Sequence, residues 1–192
     1  MNLPDQNPFR FPPPRSATRG KKKQKLETDC FVALDFETAD YGQDSACSVA
    51  LIRVENHVIT HRENRLIRPP RRHFTFTYIH GITWTQVEAE PSFGELWPQI
   101  APLLDGARFI AAHNASFDSR VMRACCSVAA LPPPELPFLC TVQLARKTWG
   151  IRPTKLPNVC QHLGLELNHH DALSDAEACA NIVLAAIRSG AV

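Results

Sequence analysis

Three short stretches carry acids in places where chemistry is done. The first is Leu34-Asp35-Phe36-Glu37-Thr38, at the end of the apolar run Phe31-Val32-Ala33-Leu34. Side chains alternate across a strand, so Asp35 and Glu37 share one face and Phe36 points to the other. Like charges about 4 Å apart repel by roughly 4 kcal/mol at an effective dielectric of 20. A divalent cation removes that repulsion. A strand end emerging into water also relieves it, and for an isolated D-x-E pair that is the commoner explanation. The second stretch is Ala112-His113-Asn114-Ala115-Ser116-Phe117-Asp118. Here a strand ends and Asp118 falls in the first turn of a helix, where a lone aspartate usually complements the helix dipole. Both sets of acids sit at the carboxyl ends of strands, where α/β sheets build their sites. The third stretch is HHDALSDAEACA, residues 169–180. Asp175 lies in the first turn of an alanine-rich helix and can hold a metal, while an imidazole on the approach serves as a base near neutral pH. The spacing favours His170 over His169 only weakly, and Asp171 competes with Asp175.

Around these acids, residues 29–37 form a short apolar run typical of a buried strand. Residues 45–69 read as two strands joined by a tight turn at Glu55-Asn56-His57 and ended by Pro69 and Pro70. A short helical turn at Ile79-His80-Gly81 is followed by a helix from about Ser92 to Leu104, opened by a Ser92/Glu95 capping box. Pro98 should bend this helix or end its first part. A strand is expected over 107–114, then a helix with Asn114 as its N-cap and Phe117, Val121, Met122 and Cys125 along one face. A short strand running into a helix follows at 138–150, another helix closes on Gly164, and a last helix spans about Ser174 to Ser189. A hairpin followed by alternating strands and helices makes an α/β domain on one mixed sheet.

Composition narrows the class. The 192 residues, 44 % of them hydrophobic, suit one domain of ordinary size. No apolar run is long enough for a membrane span, and the polar, proline-rich N-terminus has no apolar signal segment, which points to the cytoplasm. The 7 cysteines include no C-x-x-C pair, so they read as reduced, small core residues rather than a zinc site or a disulfide framework. The net charge of +2 hides an asymmetry: residues 1–28 carry Arg10, Arg15, Arg19, Lys21, Lys22, Lys23 and Lys25 against Asp5 and Glu27. This basic, proline-rich tail lacks the apolar residues needed to fold and can add non-specific affinity for phosphates. The folded domain is expected over 29–192.

Asp35-x-Glu37, then Asp118 in N-A-S-F-D, then His170-x4-Asp175, in that order, resembles the DnaQ-like, or DEDDh, 3′–5′ exonuclease family, which includes the proofreading epsilon subunit of bacterial DNA polymerase III. The likeness runs from about Cys30 to Ile187 and takes in Ile79-His80-Gly81-Ile82-Thr83 and the stretch 139–149. It implies an RNase H-like fold with a five-stranded mixed sheet flanked by helices. It implies two divalent ions, Mg²⁺ or Mn²⁺. By that likeness Asp35, Glu37 and Asp175 ligate one ion, Asp35 bridges to a second, Asp118 holds the second through water, and His170 matches the general base. Two ions about 3.5–4 Å apart suit in-line hydrolysis of a phosphodiester, releasing nucleoside 5′-monophosphates from a 3′ end.

The same resemblance nominates substrate-binding residues. Thr38 follows the acid pair, and His80 matches a family residue near the 3′-terminal sugar or phosphate; its bland alternative is to cap a local turn. Asn114, Phe36 and Phe117 adjoin the acids, and the two rings could stack on terminal bases, with core packing as their alternative. Thr75 stands where some relatives carry a glutamate. The implied substrate is single-stranded DNA or a frayed 3′ end; RNA is the alternative, since no residue is marked to exclude a 2′ hydroxyl. A second class of reading is an accessory subunit that binds a DNA polymerase or repair protein through the basic tail. The intact acid set argues against a domain that has lost catalysis. Oligomeric state has no signature in the chain.

Overall fold

The structure is a computed structural model that describes residues 29–191. The basic tail predicted over 1–28 lies outside the described residues. Five strands form one sheet in the order β3-β2-β1-β4-β5. Strand β1 (Cys30–Thr38) is its centre. Phe31, Val32, Ala33 and Leu34 are all fully buried, as a strand covered on both faces requires. Strands β2 (Ala46–Glu55) and β3 (Val58–Leu66) make the predicted hairpin, antiparallel to each other, and β2 pairs antiparallel with β1. Its two-residue turn is Asn56-His57, with φ of 48° and 66°, the left-handed pair that matches strand twist. The outer strand β3 is charged and largely exposed, as an unpaired edge should be. Strands β4 (Ile110–Ala112) and β5 (Phe138–Cys140) run parallel to β1 on its other side. The carboxyl ends of β1, β4 and β5 therefore open on the same edge.

Helices cover both faces. After two four-residue helices, α1 (Thr77–His80) and α2 (Trp84–Val87), come α3 (Phe93–Ile100) and α4 (Ser116–Val128). Helices α3 and α4 pack on Val32, Leu34, Val49 and Leu51. Helices α5 (Thr141–Trp149), α6 (Leu156–Leu163) and α7 (Ala172–Arg188) pack on Phe31, Ala33, Ala50 and Ile52. The alternation of β1 thus divides the core in two. Ala176, Cys179, Ala180 and Val183 are fully buried against the sheet, and their small side chains let α7 lie close to β1 and β2. All seven cysteines are free thiols, five of them buried. Among the described residues no helix is long and apolar enough to cross a membrane.

Four local expectations change. The strand predicted over 107–114 is regular only over Ile110–Ala112, although Arg108 N–H already bonds to Cys30 O (2.9 Å) and Val32 N–H to Phe109 O (3.2 Å). The capping box forms, with Glu95 Oε2 accepting from Ser92 N–H at 2.8 Å, but Pro98 does not end α3. The helix continues to Ile100 and tightens into a 3₁₀ turn at Ala101–Leu104, where Pro102 occupies an early position that needs no N–H. Asn114 is not the N-cap of α4. That residue is Ala115, and Asn114 precedes it in the left-handed region (φ 65°), where the chain reverses between β4 and α4. Finally α7 starts at Ala172, because Asp171 caps it by accepting from Ser174 N–H at 2.9 Å. Capping, rather than competition with Asp175, is the role of Asp171.

Candidate active site

The pairing of β1 with β4 stops at Ala33 and Ala111, so the last residues of β1 run on without a partner on that side. Asp35 and Glu37 lie on the α7 face of this free end. The first turn of α7 brings Asp175 to them, and ligand oxygens of Asp35, Glu37 and Asp175 all lie within 4.8 Å of one another. Asp118 enters from the opposite layer. Its Oδ1 accepts the Phe36 N–H at 3.3 Å, a donor that β4 would have satisfied had it continued. Its Oδ2 is buried and has no hydrogen-bond partner, which is costly for a carboxylate unless a cation or a proton is supplied.

The electrostatics follow. Burial, then Asp118, Glu37 and Asp175, hold Asp35 well above the usual carboxylate range. Burial, followed by Asp175 and Asp118, pushes Glu37 up to about 8. Burial raises Asp175 against the pull of His169, and it raises Asp118 against the Phe36 N–H. Four acids in this space cannot all ionise without a counter-charge. The carboxylate oxygens gathered here fit a hard divalent cation.

Both histidines of the approach reach the acids, in different ways. His169 Nδ1 lies 3.0 Å from Asp175 Oδ2. His170 gives its backbone N–H to the same oxygen at 3.2 Å. The His170 ring stacks on His169 with centroids 3.8 Å apart and is itself exposed. Burial, then His169, lower its pKa, so the ring is neutral near physiological pH. The side chain that touches Asp175 is thus the His169 ring.

A family profile described as exonuclease matches residues 32–183, the stretch that contains every one of these acids. The chain belongs to the exonuclease family. Its domain has the RNase H-like fold. It is 32 % identical over 163 residues to a PolC-type DNA polymerase III of Thermotoga petrophila, covering 83 % of this chain and 12 % of that one. The chain therefore spans only a small part of such relatives. Among solved structures it is similar to exonuclease X in complex with 5′ overhanging duplex DNA (TM-score 0.69, 27 % identity, 83 % of this chain and 93 % of that one). It also shares its fold with the nuclease domain of 3′hExo, a DEDDh family member bound to rAMP (TM-score 0.73, 17 % identity, 85 % of this chain and 94 % of that one).

The exonuclease domain opens the acid cluster into a cleft of about 590 Å³. Asn114 and Phe117 border it. Phe36 borders it too, but is only 3 % exposed and packs on Phe93 with centroids 6.4 Å apart. The strand alternation that brings Asp35 and Glu37 to the α7 face sends this ring to the α3 face. Phe36 is a core ring with too little surface to stack on a base. Thr38 is buried, and its carbonyl accepts from His80 Nε2 at 3.2 Å. His80 Nδ1 in turn accepts from Ile82 N–H at 3.0 Å. Both nitrogens are used, so His80 pins α1 to the end of β1, the turn-capping alternative. Neither Thr38 nor His80 lines the cleft.

Motif spacing missed four further residues that line the cleft: His113, Arg146, Thr154 and Lys155. His113 is half-buried between Thr141 Oγ1 (2.8 Å) and Thr154 O (3.1 Å), and desolvation pushes it down to about 4. Its position next to Asn114 was the one signal available. Nothing in the sequence joins Arg146 and Lys155 to acids more than a hundred residues earlier.

Proposed function

We propose that this exonuclease domain shortens DNA from the 3′ end, at single strands or frayed termini, and releases nucleoside 5′-monophosphates with the help of two divalent ions, Mg²⁺ or Mn²⁺. The convergence of Asp35, Glu37 and Asp175 within 4.8 Å carries this reading, and the partnerless Asp118 Oδ2 beside them supports a second point of attachment. Asp35, Glu37 and Asp175 would hold one ion, with Asp35 and Asp118 holding the other. Bound there, the ions would offset the charge of the phosphate in flight and lower the pKa of the attacking water.

The protein's own groups do the rest. The exposed, neutral His170 ring accepts a proton from the attacking water. His169, held by Asp175, orients that ring by stacking on it. Phe117 and Asn114 offer an edge and an amide to the terminal nucleotide at the cleft's rim. DNA is favoured over RNA as substrate by the likeness to a DNA polymerase and to an exonuclease bound to duplex DNA. The polymerase relative likewise supports a DNA polymerase or repair protein as partner, in the cytoplasm.

The test is stepwise shortening of a 5′-labelled oligonucleotide with Mg²⁺ or Mn²⁺, run on matched DNA and RNA, single- and double-stranded. Asp35→Ala should abolish the ladder. A ladder at full rate in Asp35→Ala protein refutes the mechanism, and a faster ladder on RNA overturns the substrate.

A further inference from the structure

The cleft that holds the carboxylates is also lined by groups of opposite charge. Arg146, on α5, and Lys155, immediately before α6, both border the cleft and are both exposed. Arg53, Arg62, Arg65 and Arg71 each pair with an acid. Arg146 and Lys155 have no carboxylate partner among the described residues. Arg146 is nonetheless held in place. Its Nε donates to Thr154 Oγ1 at 2.9 Å, which sets the plane of the guanidinium and leaves its two terminal nitrogens for another acceptor.

The loop that presents Lys155 is tied down from inside. Thr154 is 6 % exposed, and its hydroxyl donates to Ile151 O at 2.8 Å. Its carbonyl accepts the Nε2–H of His113, whose Nδ1 accepts from the buried Thr141 hydroxyl. The end of β4, the start of α5 and the segment 151–155 are thus joined through one imidazole. Free surface lysines sample many positions; the backbone of this one has few.

A nucleic-acid strand lying in the cleft meets both kinds of charge. At the acids, bound cations answer the charge of the scissile phosphate. Cations there do nothing for the next phosphates along the strand, which need donors elsewhere. A guanidinium with a fixed plane and a neighbouring ammonium suit phosphate oxygens. We infer that Arg146 and Lys155 form a second phosphate site, which takes the internucleotide linkages on the 5′ side of the scissile one, with His113 and Thr154 as its positioning residues. This rests on the exonuclease reading above. It makes the domain grip backbone rather than base, and so prefer a strand over a free terminal nucleotide.

Replacing single linkages of the oligonucleotide by neutral methylphosphonate tests the site. A neutral second or third linkage from the 3′ end should raise KM about 5- to 20-fold with little change in kcat, the loss of one charge-assisted contact. Lys155→Ala should raise KM similarly on the all-phosphate strand, and should lower the salt dependence of affinity by about 0.7 in log–log slope. On the neutral-linkage strand it should add little, because the two changes remove the same contact. Lys155→Arg should restore affinity, and His113→Gln should raise KM without a matching fall in kcat. Affinities measured by fluorescence anisotropy in an Asp35→Ala background should show the same pattern without turnover. A neutral linkage without effect at both positions, or a Lys155→Ala penalty equal on both strands, overturns the phosphate site. Wild-type protein that shows this binding pattern but shortens no strand overturns the exonuclease reading and leaves the phosphate site standing.

Discussion

Glu37→Gln removes one of three carboxylates that converge within 4.8 Å and keeps the side chain's shape. Burial, Asp175 and Asp118 raise Glu37 from 4.5 to about 8. The folded protein therefore keeps a proton that the unfolded chain has already released. A group raised in this way contributes stability that is fully present below its unfolded pKa and is lost as pH rises through its folded one. Between about pH 5.5 and about pH 8.5, linkage puts that loss at about 3 kcal/mol at most, since Glu37 is partly exposed. Histidines act in the opposite sense. His113, pushed down to about 4, is neutral when folded, so the stability it costs in acid returns as pH rises towards its ordinary 6.5. Comparing the variant with wild type cancels that contribution. In a domain of this size 1 kcal/mol moves Tm by about 2–4 °C. In EDTA, the Tm of Glu37→Gln relative to wild type should therefore climb by about 6–12 °C between the two pH values. Thermal melts followed by circular dichroism measure this. Mg²⁺ or Mn²⁺ at a hundred times its Kd should add about 2.7 kcal/mol to wild type, less to the variant, and so close the gap at high pH. A gap that is independent of pH, or narrows as pH rises, would refute the placement of Glu37 beside Asp175 and Asp118.

His170→Ala should lower kcat by about 10²–10⁴-fold with little change in Tm, because the ring is exposed; steady-state kinetics on His169→Ala in parallel decide between the two, and a larger loss there reassigns the proton transfer. Phe36→Ala should cost about 3–5 kcal/mol of stability in urea titrations, whereas a raised KM at unchanged stability would return the ring to the substrate. His57→Gly should gain about 1 kcal/mol by relieving the left-handed turn, read as an upward shift in the urea midpoint; a loss would mean that the His57 side chain stabilises the hairpin.

Much of the fold was legible because its signals are local. The fully apolar Phe31–Leu34 announces a central strand, and a tight turn at Asn56-His57 between two strand-forming segments announces a hairpin. Ser92 with Glu95, and the glycine at 164, mark helix ends that the chain uses. Local signals also misled. Asn114 is a good N-cap residue by type, but the reversal after β4 needs its left-handed conformation one position earlier. Pro98 is a helix breaker in an isolated chain, yet burial of Phe93, Leu96, Trp97 and Ile100 holds α3 together across it.

By itself the sequence determined which residues can do the chemistry: an ordered set of acids, each placed at a strand end or a first helical turn, beside two histidines. Their roles as neighbours were decided by tertiary structure alone. Asp118 reaches the Phe36 N–H because β4 stops pairing at Ala111, and the same free edge lets α7 deliver Asp175 to Asp35 and Glu37. Which imidazole meets Asp175, the turning of Phe36 into the core, and the basic lining of Arg146 and Lys155 depend on contacts between opposite faces of the sheet or between distant loops. Spacing along a chain encodes only neighbours a few residues apart; the distances across a packed sheet exist once its two layers have closed.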